Sequence, residues 1–368
     1  MPDKDCFVFA INLGSTSSKI AAFRNQEPLF LTSITNPVRG NRHIQELLPE
    51  FERSIRAVAA EHQYDLARTD VFVARGGAMY PCAGGIYEVN ANMLEGARHG
   101  PFGEHPARLA CQIIDAFRTE YGGRACVVDP PDTDELLDIA RFTGMKGVYV
   151  RSGSHALNQK AVARSYAASV GKTYQNLNLI VAHLGGGISI STHKEGLIVD
   201  TNDLLNSSGP FTPTRCGDIP TGQLIDLCFS GKYSHAELKA RTFENGGLMD
   251  LLGESDLRVV QKRIAQGDAY AEVVLEAMIY AIAKTIAARA IPLRGKVDQI
   301  ILTGGMARDG YLTKKITEYV AWIAPVTVVA GEYEMEALAA GAWRLFADEE
   351  QPKEYSGKPN WDPIRLVG

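Results

Sequence analysis

Three short glycine-containing turns, each set directly after an apolar run, are the parts of this chain best suited to chemistry: Leu13–Ser18, Leu184–Ile188 and Thr303–Met306. Backbone N–H groups in such turns converge on a concavity that can cradle phosphate oxygens, and glycine lets an anion come close. One such turn is usually only a tight connection. Three of them, two related by an internal repeat, point to a nucleotide phosphate site. No G-x-x-x-x-G-K-S/T sequence and no G-x-G-x-x-G fingerprint occurs, so the ordinary P-loop and Rossmann readings fail.

The elements that must position these turns repeat at half the chain length. FVFAINLGSTSSKIAAF runs from Phe7 to Phe23 and LIVAHLGGGISIS from Leu179 to Ser191. Laying Asn12 on His183 puts Leu13 on Leu184, Gly14 on Gly185 and Ser15 on Gly186. Each copy is an apolar strand, a glycine- or hydroxyl-rich turn and a second strand, which reads as a duplicated domain. Helical spacing follows each copy: Glu104 to Tyr121 with a stop at Gly122–Gly123, Ser154 to Val170 with a serine cap, and Asp268 to about Ile291 before Pro292. The runs Gln299 to Thr303 and Pro325 to Ala330 read as buried strands. Strands then helices, repeated, predict α/β layers with helices covering mixed sheets and a boundary near Arg151. The polar, proline-containing tail from Glu349 to Gly368 reads as a loosely held extension, and Asp132, Asp134 and Glu135 as a solvated helix start.

The 368 residues suit two domains, and 45% apolar with 22% charged residues is ordinary for a globular protein. A net charge of -5 is mild and gives no sign of a dedicated nucleic-acid or membrane surface, and it does not argue against an anionic substrate. Six cysteines without a C-x-x-C pair, and an N-terminus without a signal-peptide pattern, read as reduced thiols in a cytoplasmic protein. The longest apolar stretch, near Val273 to Ile291, is interrupted by Glu276, Lys284 and Arg289 and reads as a largely buried helix.

The two repeated turns and the late LTGG resemble the paired phosphate motifs and adenosine motif of the acetate and sugar kinase, Hsp70 and actin superfamily. Within it the chain resembles the carboxylate kinases of the acetokinase family. INLGSTSSK (11–19), ARGG (74–77), SHALNQKAVAR (154–164), AHLGGGIS (182–189), GPFTPTRCGD (209–218), LTGGMA (302–307) and GEYEMEALAAGA (331–342) carry the resemblance in the family's order. SHALNQKAVAR resembles the butyrate kinases rather than the acetate kinases. The resemblance implies two duplicated actin-like (ribonuclease H-like) domains with an interdomain cleft: 1–151 plus 345–368, and a nucleotide-binding domain at 152–344. It implies ATP and Mg²⁺ as cofactors, a short-chain fatty acid (butyrate or isobutyrate) as substrate, and a homodimer or larger assembly.

By the same resemblance, Asn12, Ser15, Ser17 and Lys19 fall on the first phosphate turn, with Asn12 facing the transferred group and the metal. Arg75 falls where an arginine binds the substrate carboxylate, and Arg215 where a second arginine meets the migrating phosphoryl group. His183, Gly185, Gly186 and Gly187 match the second phosphate turn, Gly304 and Gly305 the adenosine wall, and Asp256 and Arg258 a loop near the nucleotide. Asp129 and Glu334 match carboxylates that hold Mg²⁺ through water or orient the acid; Asp132, Asp134, Glu332 and Glu336 compete with them. Arg151 and His155 stand where acetate kinases carry His-Gly-Thr-Ser-His, so only the second histidine, His155, is kept.

The chemistry asks for these residue types. Phosphoryl transfer to a carboxylate brings two anions together, and guanidinium groups relieve the repulsion. A carboxylate is already ionised at pH 7, so no general base is required and none stands out. On residue type alone, Arg75 and Arg215 also read as ion-pair arginines, His183 as a satisfied strand histidine, Lys19 as solvent-facing and His155 as a packing residue. An acetate or propionate kinase is the near alternative, and a non-kinase ATPase of the superfamily the distant one.

Overall fold

The structure is a computed structural model and describes residues 5–362. The chain divides into two compact units. One takes in the chain as far as Asp134, Ala156–Ala161 and the chain from Tyr333 on; the other takes in Glu135–His155 and Val162–Glu332. The repeat spacing places one division near Arg151, and the resemblance sets 152–344 apart from 1–151 plus 345–368.

The first unit grows around β1 (Phe7–Leu13), whose alternation in sequence becomes alternation in space. Phe9, Ile11 and Leu13 share a core with helices Leu48–Glu61 and Ala107–Tyr121, while Val8 and Ala10 share a core with helix Glu334–Phe346. Phe9 is fully buried against the rings of Tyr64, Phe72 and Phe117; truncating such a residue to alanine costs roughly 3–5 kcal/mol. Around β1 lie β2 (Ser17–Arg24), β3 (Glu27–Thr35), β4 (Val71–Ala74), β5 (Ile86–Glu88) and β6 (Arg124–Val128), in the order β3-β2-β1-β4-β6-β5.

The second unit repeats the plan with β7 (Leu179–Leu184), β8 (Ile188–Lys194), β9 (Leu197–Thr201), β10 (Gln299–Gly304) and β11 (Val326–Ala330), in the order β9-β8-β7-β10-β11. β1 and β7 each pair antiparallel with the strand after their turn and parallel with a later strand, β4 or β10. One face of the second sheet packs on helices Ala269–Ala288 and Gly310–Val320. The other takes Val162, Ala163 and Ala167 of helix Ala156–Ser169. Both units are mixed sheets covered by helices on two faces, as the repeat predicts.

Several local expectations are corrected. The helix expected from Glu104 opens at Ala107, because Pro106 caps it and residues 100–106 form no helix. Helix Ala156–Ser169 is capped by His155 without a side-chain bond, not by a serine. Helix Ala269–Ala288 buries one stripe but exposes Tyr270, Val273 and Tyr280. β11 is only partly buried, since it is an edge strand. The tail is held: Tyr355 is 1% exposed, its hydroxyl accepts from Tyr80 N and its carbonyl from Asn90 Nδ2. Residues 363–368 of that expectation lie outside the described residues. The Asp132–Glu135 stretch starts no helix; Thr133 and Asp134 are buried, because Thr133 bridges Cys82 and Asp134 N donates to Cys82 O.

Candidate active site

The alternation of β1 decides where its polar residue points. Val8 and Ala10 face helix Glu334–Phe346, so Asn12, two residues on, faces the same side at the end of the strand. Asn12 is buried, and its Nδ2 donates to Glu334 Oε2 at the start of that helix. The N-terminal turn of a helix favours a carboxylate. On β4, Val71 and Val73 face the same helix, which sends Arg75 there too; Arg75 NH1 lies 3.9 Å from Glu334 Oε1. Ile11 pairs with Ala74, so Arg75 follows opposite Asn12.

Two atoms of this cluster are buried with no hydrogen-bond partner among the described residues: Asn12 Oδ1 and Arg75 Nε. A buried polar atom left unpaired costs about 1–3 kcal/mol, so such atoms mark a place shaped for something else. Glu334 is separated from its competitors here. Glu336 is exposed, and Glu332 belongs to the other unit, 4.0 Å from His183 Nε2. Among the described residues no three His, Cys, Asp or Glu gather into a metal cage. An unpaired amide oxygen beside one carboxylate nevertheless fits Mg²⁺, which keeps several waters and takes only one or two carboxylates.

The first turn adds Ser15 and Ser17, both exposed, and Lys19, which pairs with Asn12 in the register and so shares its face. Asn36 braces this turn, accepting from Ser18 Oγ at 2.6 Å and donating to Gly14 O at 2.8 Å. His105, which sequence reasoning passed over, reaches Ser15 Oγ with Nε2 at 3.1 Å. Burial and then the charge of Arg75 hold its pKa below the usual value. Nothing in GEHP distinguishes His105 from the other histidines; only its partners do.

The remaining acids of the first unit stand apart in kind. Asp129 is fully buried with φ of 38°, a sparsely populated backbone region, and its Oδ1 accepts from Gly85 N at 2.8 Å. Burial pushes the Asp132 carboxyl up to about 6, against the opposite pull of the Met79 N–H and of Arg75.

In the second unit the same alternation sends His183 toward helix Ala156–Ser169, with Leu179 and Val181. Its ring stacks on His155 at 3.7 Å between centroids and 10° between planes. Burial lowers the His183 pKa to about 4, with Glu332 pulling weakly the other way. His155 is fixed through Nδ1 to Ser189 Oγ at 2.8 Å. Arg151 is exposed and its backbone N–H donates to Asp203 Oδ2.

Gly185, Gly186 and Gly187 close the β7–β8 turn, and the 209–218 loop is tied to it by Thr212 Oγ1, which donates to Gly186 O at 2.6 Å. That bond brings Arg215 over the turn. A Cβ on Gly187 would stand 2.9 Å from Leu204 Cδ1 and 3.1 Å from Arg215 Cζ, so glycine makes room for the guanidinium. Arg215 NH1 donates to Leu204 O at 2.8 Å, and burial lowers its pKa. Gly304, at φ of 91°, passes within 2.4 Å of Leu184 O as measured from a would-be Cβ, so β10 ends hard against this turn, with Gly305 exposed after it. Asp256 caps helix Leu257–Ala265 and pairs with the exposed Arg258; the Arg258 side chain is the main cause that takes the Asp256 pKa down to about 2.

Two sheets that share one order over five strands, the first with β5 added at its edge, each flanked by helices and each carrying a turn after its first strand, define a duplicated actin-like fold. The acetate kinase of Porphyromonas gingivalis shares it, with a TM-score of 0.75 at 19% identity over 93% of this chain and 100% of that one. A propionate kinase from Francisella tularensis subsp. tularensis gives 0.73 at 19% identity, over 91% of this chain and 98% of that one. A ROK family protein from Streptococcus pneumoniae gives 0.51 at 12% identity, over 93% and 99%. Residues 140–320 match the model of the acetokinase family. Among the described residues no helix is long and apolar enough to cross a membrane.

Proposed function

We propose that this chain is a kinase that transfers the γ-phosphoryl group of ATP to the carboxylate of a short-chain fatty acid, reversibly, with butyrate or isobutyrate preferred. The observation that carries the reading is the Asn12–Arg75–Glu334 cluster with its two unpaired buried atoms, in a chain whose residues 140–320 match the acetokinase family. The preference for a four-carbon acid rests on SHALNQKAVAR, whereas the acetate and propionate kinases among the structural neighbours favour a smaller acid. By the same resemblance the reading extends to a homodimer or larger assembly in the cytoplasm.

In this mechanism Arg75 binds the acid carboxylate through paired guanidinium N–H groups and turns one oxygen toward the phosphorus. Glu334 holds Arg75 and Asn12 in place from the helix N-terminus. Asn12 Oδ1 and Glu334 would hold Mg²⁺, which when bound neutralises charge across the nucleotide phosphates. His105 offers a neutral N–H donor beside the first turn. Arg215 takes up charge that develops on the phosphoryl group. Gly185–Gly187 and Gly304–Gly305 carry the nucleotide, while Asp129 is a buried brace that sets the loop beside Gly85. No base is needed, because the attacking oxygen is already ionised.

The test is acyl phosphate formation, trapped as hydroxamate, with ATP, Mg²⁺ and acids from acetate to branched five-carbon chains. A peak at butyrate or isobutyrate supports the full reading. A peak at acetate or propionate keeps the kinase and moves the substrate. No turnover with any acid, despite ATP binding, sinks the kinase and favours a conformational ATPase.

A further inference from the structure

His105 Nδ1 accepts the Ala107 backbone N–H at 3.1 Å, while its Nε2 faces Ser15 Oγ at 3.1 Å. A neutral imidazole that accepts at Nδ1 carries its one proton on Nε2. The ring is therefore a donor aimed at the first phosphate turn. Holding it there is demanding, because residues 100–106 form neither helix nor strand.

Arg108 supplies the hold. It is 3% exposed, and every nitrogen of its guanidinium group donates to a backbone carbonyl. Nε donates to Ala97 O at 3.0 Å, NH1 to Phe102 O at 2.7 Å, and NH2 to Arg98 O at 3.1 Å and Gly100 O at 3.3 Å. A cation in the first turn of a helix opposes the helix dipole, and burying it is costly unless it is fully hydrogen-bonded. Arg108 stands in such a position, as the second residue of helix Ala107–Tyr121, and its four carbonyls belong to the last turn and cap of helix Ala91–His99 and to Phe102, in the stretch that leads into His105. Glu104 closes the clamp: its Oε2 accepts from Ile44 N at 2.6 Å, and its Oε1 lies 3.0 Å from His43 Nε2 and 3.8 Å from Arg108 NH1.

We propose that Arg108 is a positioning residue, whose clamp on the 97–102 carbonyls holds His105 as a neutral Nε2–H donor toward Ser15. What His105 does there rests on the kinase reading; that Arg108 sets its state does not. A lysine in its place keeps the charge, but its single nitrogen with three N–H groups cannot span the four carbonyls that the three guanidinium nitrogens reach.

The experiment uses the whole chain labelled with ¹⁵N and ¹³C histidine, with the His105 signals assigned by H105Q. Wild type should show the Nε2–H tautomer and a titration midpoint below the ordinary histidine value. In R108K and R108Q the signals should move to a tautomer mixture and the midpoint should rise. Folded variants with unchanged His105 signals would overturn the proposal. If both variants unfold, Arg108 serves the fold rather than His105, and the proposal also falls. With acid and ATP, R108K should lower kcat roughly tenfold while KM for ATP stays within about twofold. The same change in an H105Q background should cost almost nothing; equal losses in both backgrounds would refute action through His105. Absence of kinase activity in wild type would end the functional reading, and the histidine spectra would still decide the positioning.

Discussion

The buried titratable groups of the two units give this protein opposing pH responses, and each can be unmasked by one substitution. His183 is 2% exposed and its pKa falls from 6.5 to about 4, chiefly through burial, with His155 and Glu332 the titratable groups facing it. Above pH 6.5 the ring is neutral both folded and unfolded, and the full stability is present. As the pH falls toward 4 only the unfolded chain takes up the proton, so roughly 3 kcal/mol of stability is lost. Asp132 behaves oppositely: the residue is half-buried, but desolvation of its carboxyl raises its pKa from 3.8 to about 6. Below 3.8 it is protonated in both states. As the pH rises to 6 the unfolded chain releases its proton first, and roughly 3 kcal/mol is lost. The assay compares H183N and D132N with wild type by denaturant unfolding between pH 4 and 7. Native-state hydrogen exchange at β7 and β1 reads the two units separately. The H183N-minus-wild-type stability should rise by roughly 3 kcal/mol as the pH drops from 7 to 4, whatever constant offset the lost ring stack brings. The D132N difference should rise by roughly the same amount from pH 4 to 7. A flat difference for either variant would refute the claim that the fold buries that group against ionisation.

Three further outcomes follow from the geometry. R75A should cut kcat/KM for the acid by roughly 10³ in the hydroxamate assay, yet change stability by less than about 1 kcal/mol, since its ion pair to Glu334 spans 3.9 Å. G187A should lower kcat by about ten- to a hundredfold, because the new Cβ would push Arg215 and Leu204 off the turn; unchanged turnover would mean that Arg215 does not act there. Y355A should destabilise the first unit by roughly 3–5 kcal/mol in thermal or denaturant unfolding, whereas a change below about 1 kcal/mol would restore the picture of a loose tail.

Much of the frame was legible because it is written in short periods. Alternation along Phe7–Leu13 and Leu179–Leu184 determines which face each residue takes, and the glycines after each run mark the turns. The correspondence of Asn12 with His183 survives as equivalent places on two sheets that share their order over five strands. Other signals were misleading locally. Asp132, Asp134 and Glu135 look like a solvated helix start, but the pairing of Thr133 with Cys82 draws the stretch inward. The tail looks polar and free until Tyr355 is found buried under Tyr80 N.

The sequence by itself determined the repeat, the strands, the glycine turns and the types of side chain placed after them, because those depend on neighbours a few residues away. Only the tertiary structure decided which charges share a place. Glu332, Glu334 and Glu336 are equivalent as letters, yet one meets His183, one joins Asn12 and Arg75, and one faces solvent. His105 carries no local mark, and its role as a donor comes from Ser15, 90 residues away, and from the carbonyls gathered by Arg108. Hydrogen bonding and ionisation depend on distance and burial in space, and those are set when the sheets and helices close around these groups rather than by their order along the chain.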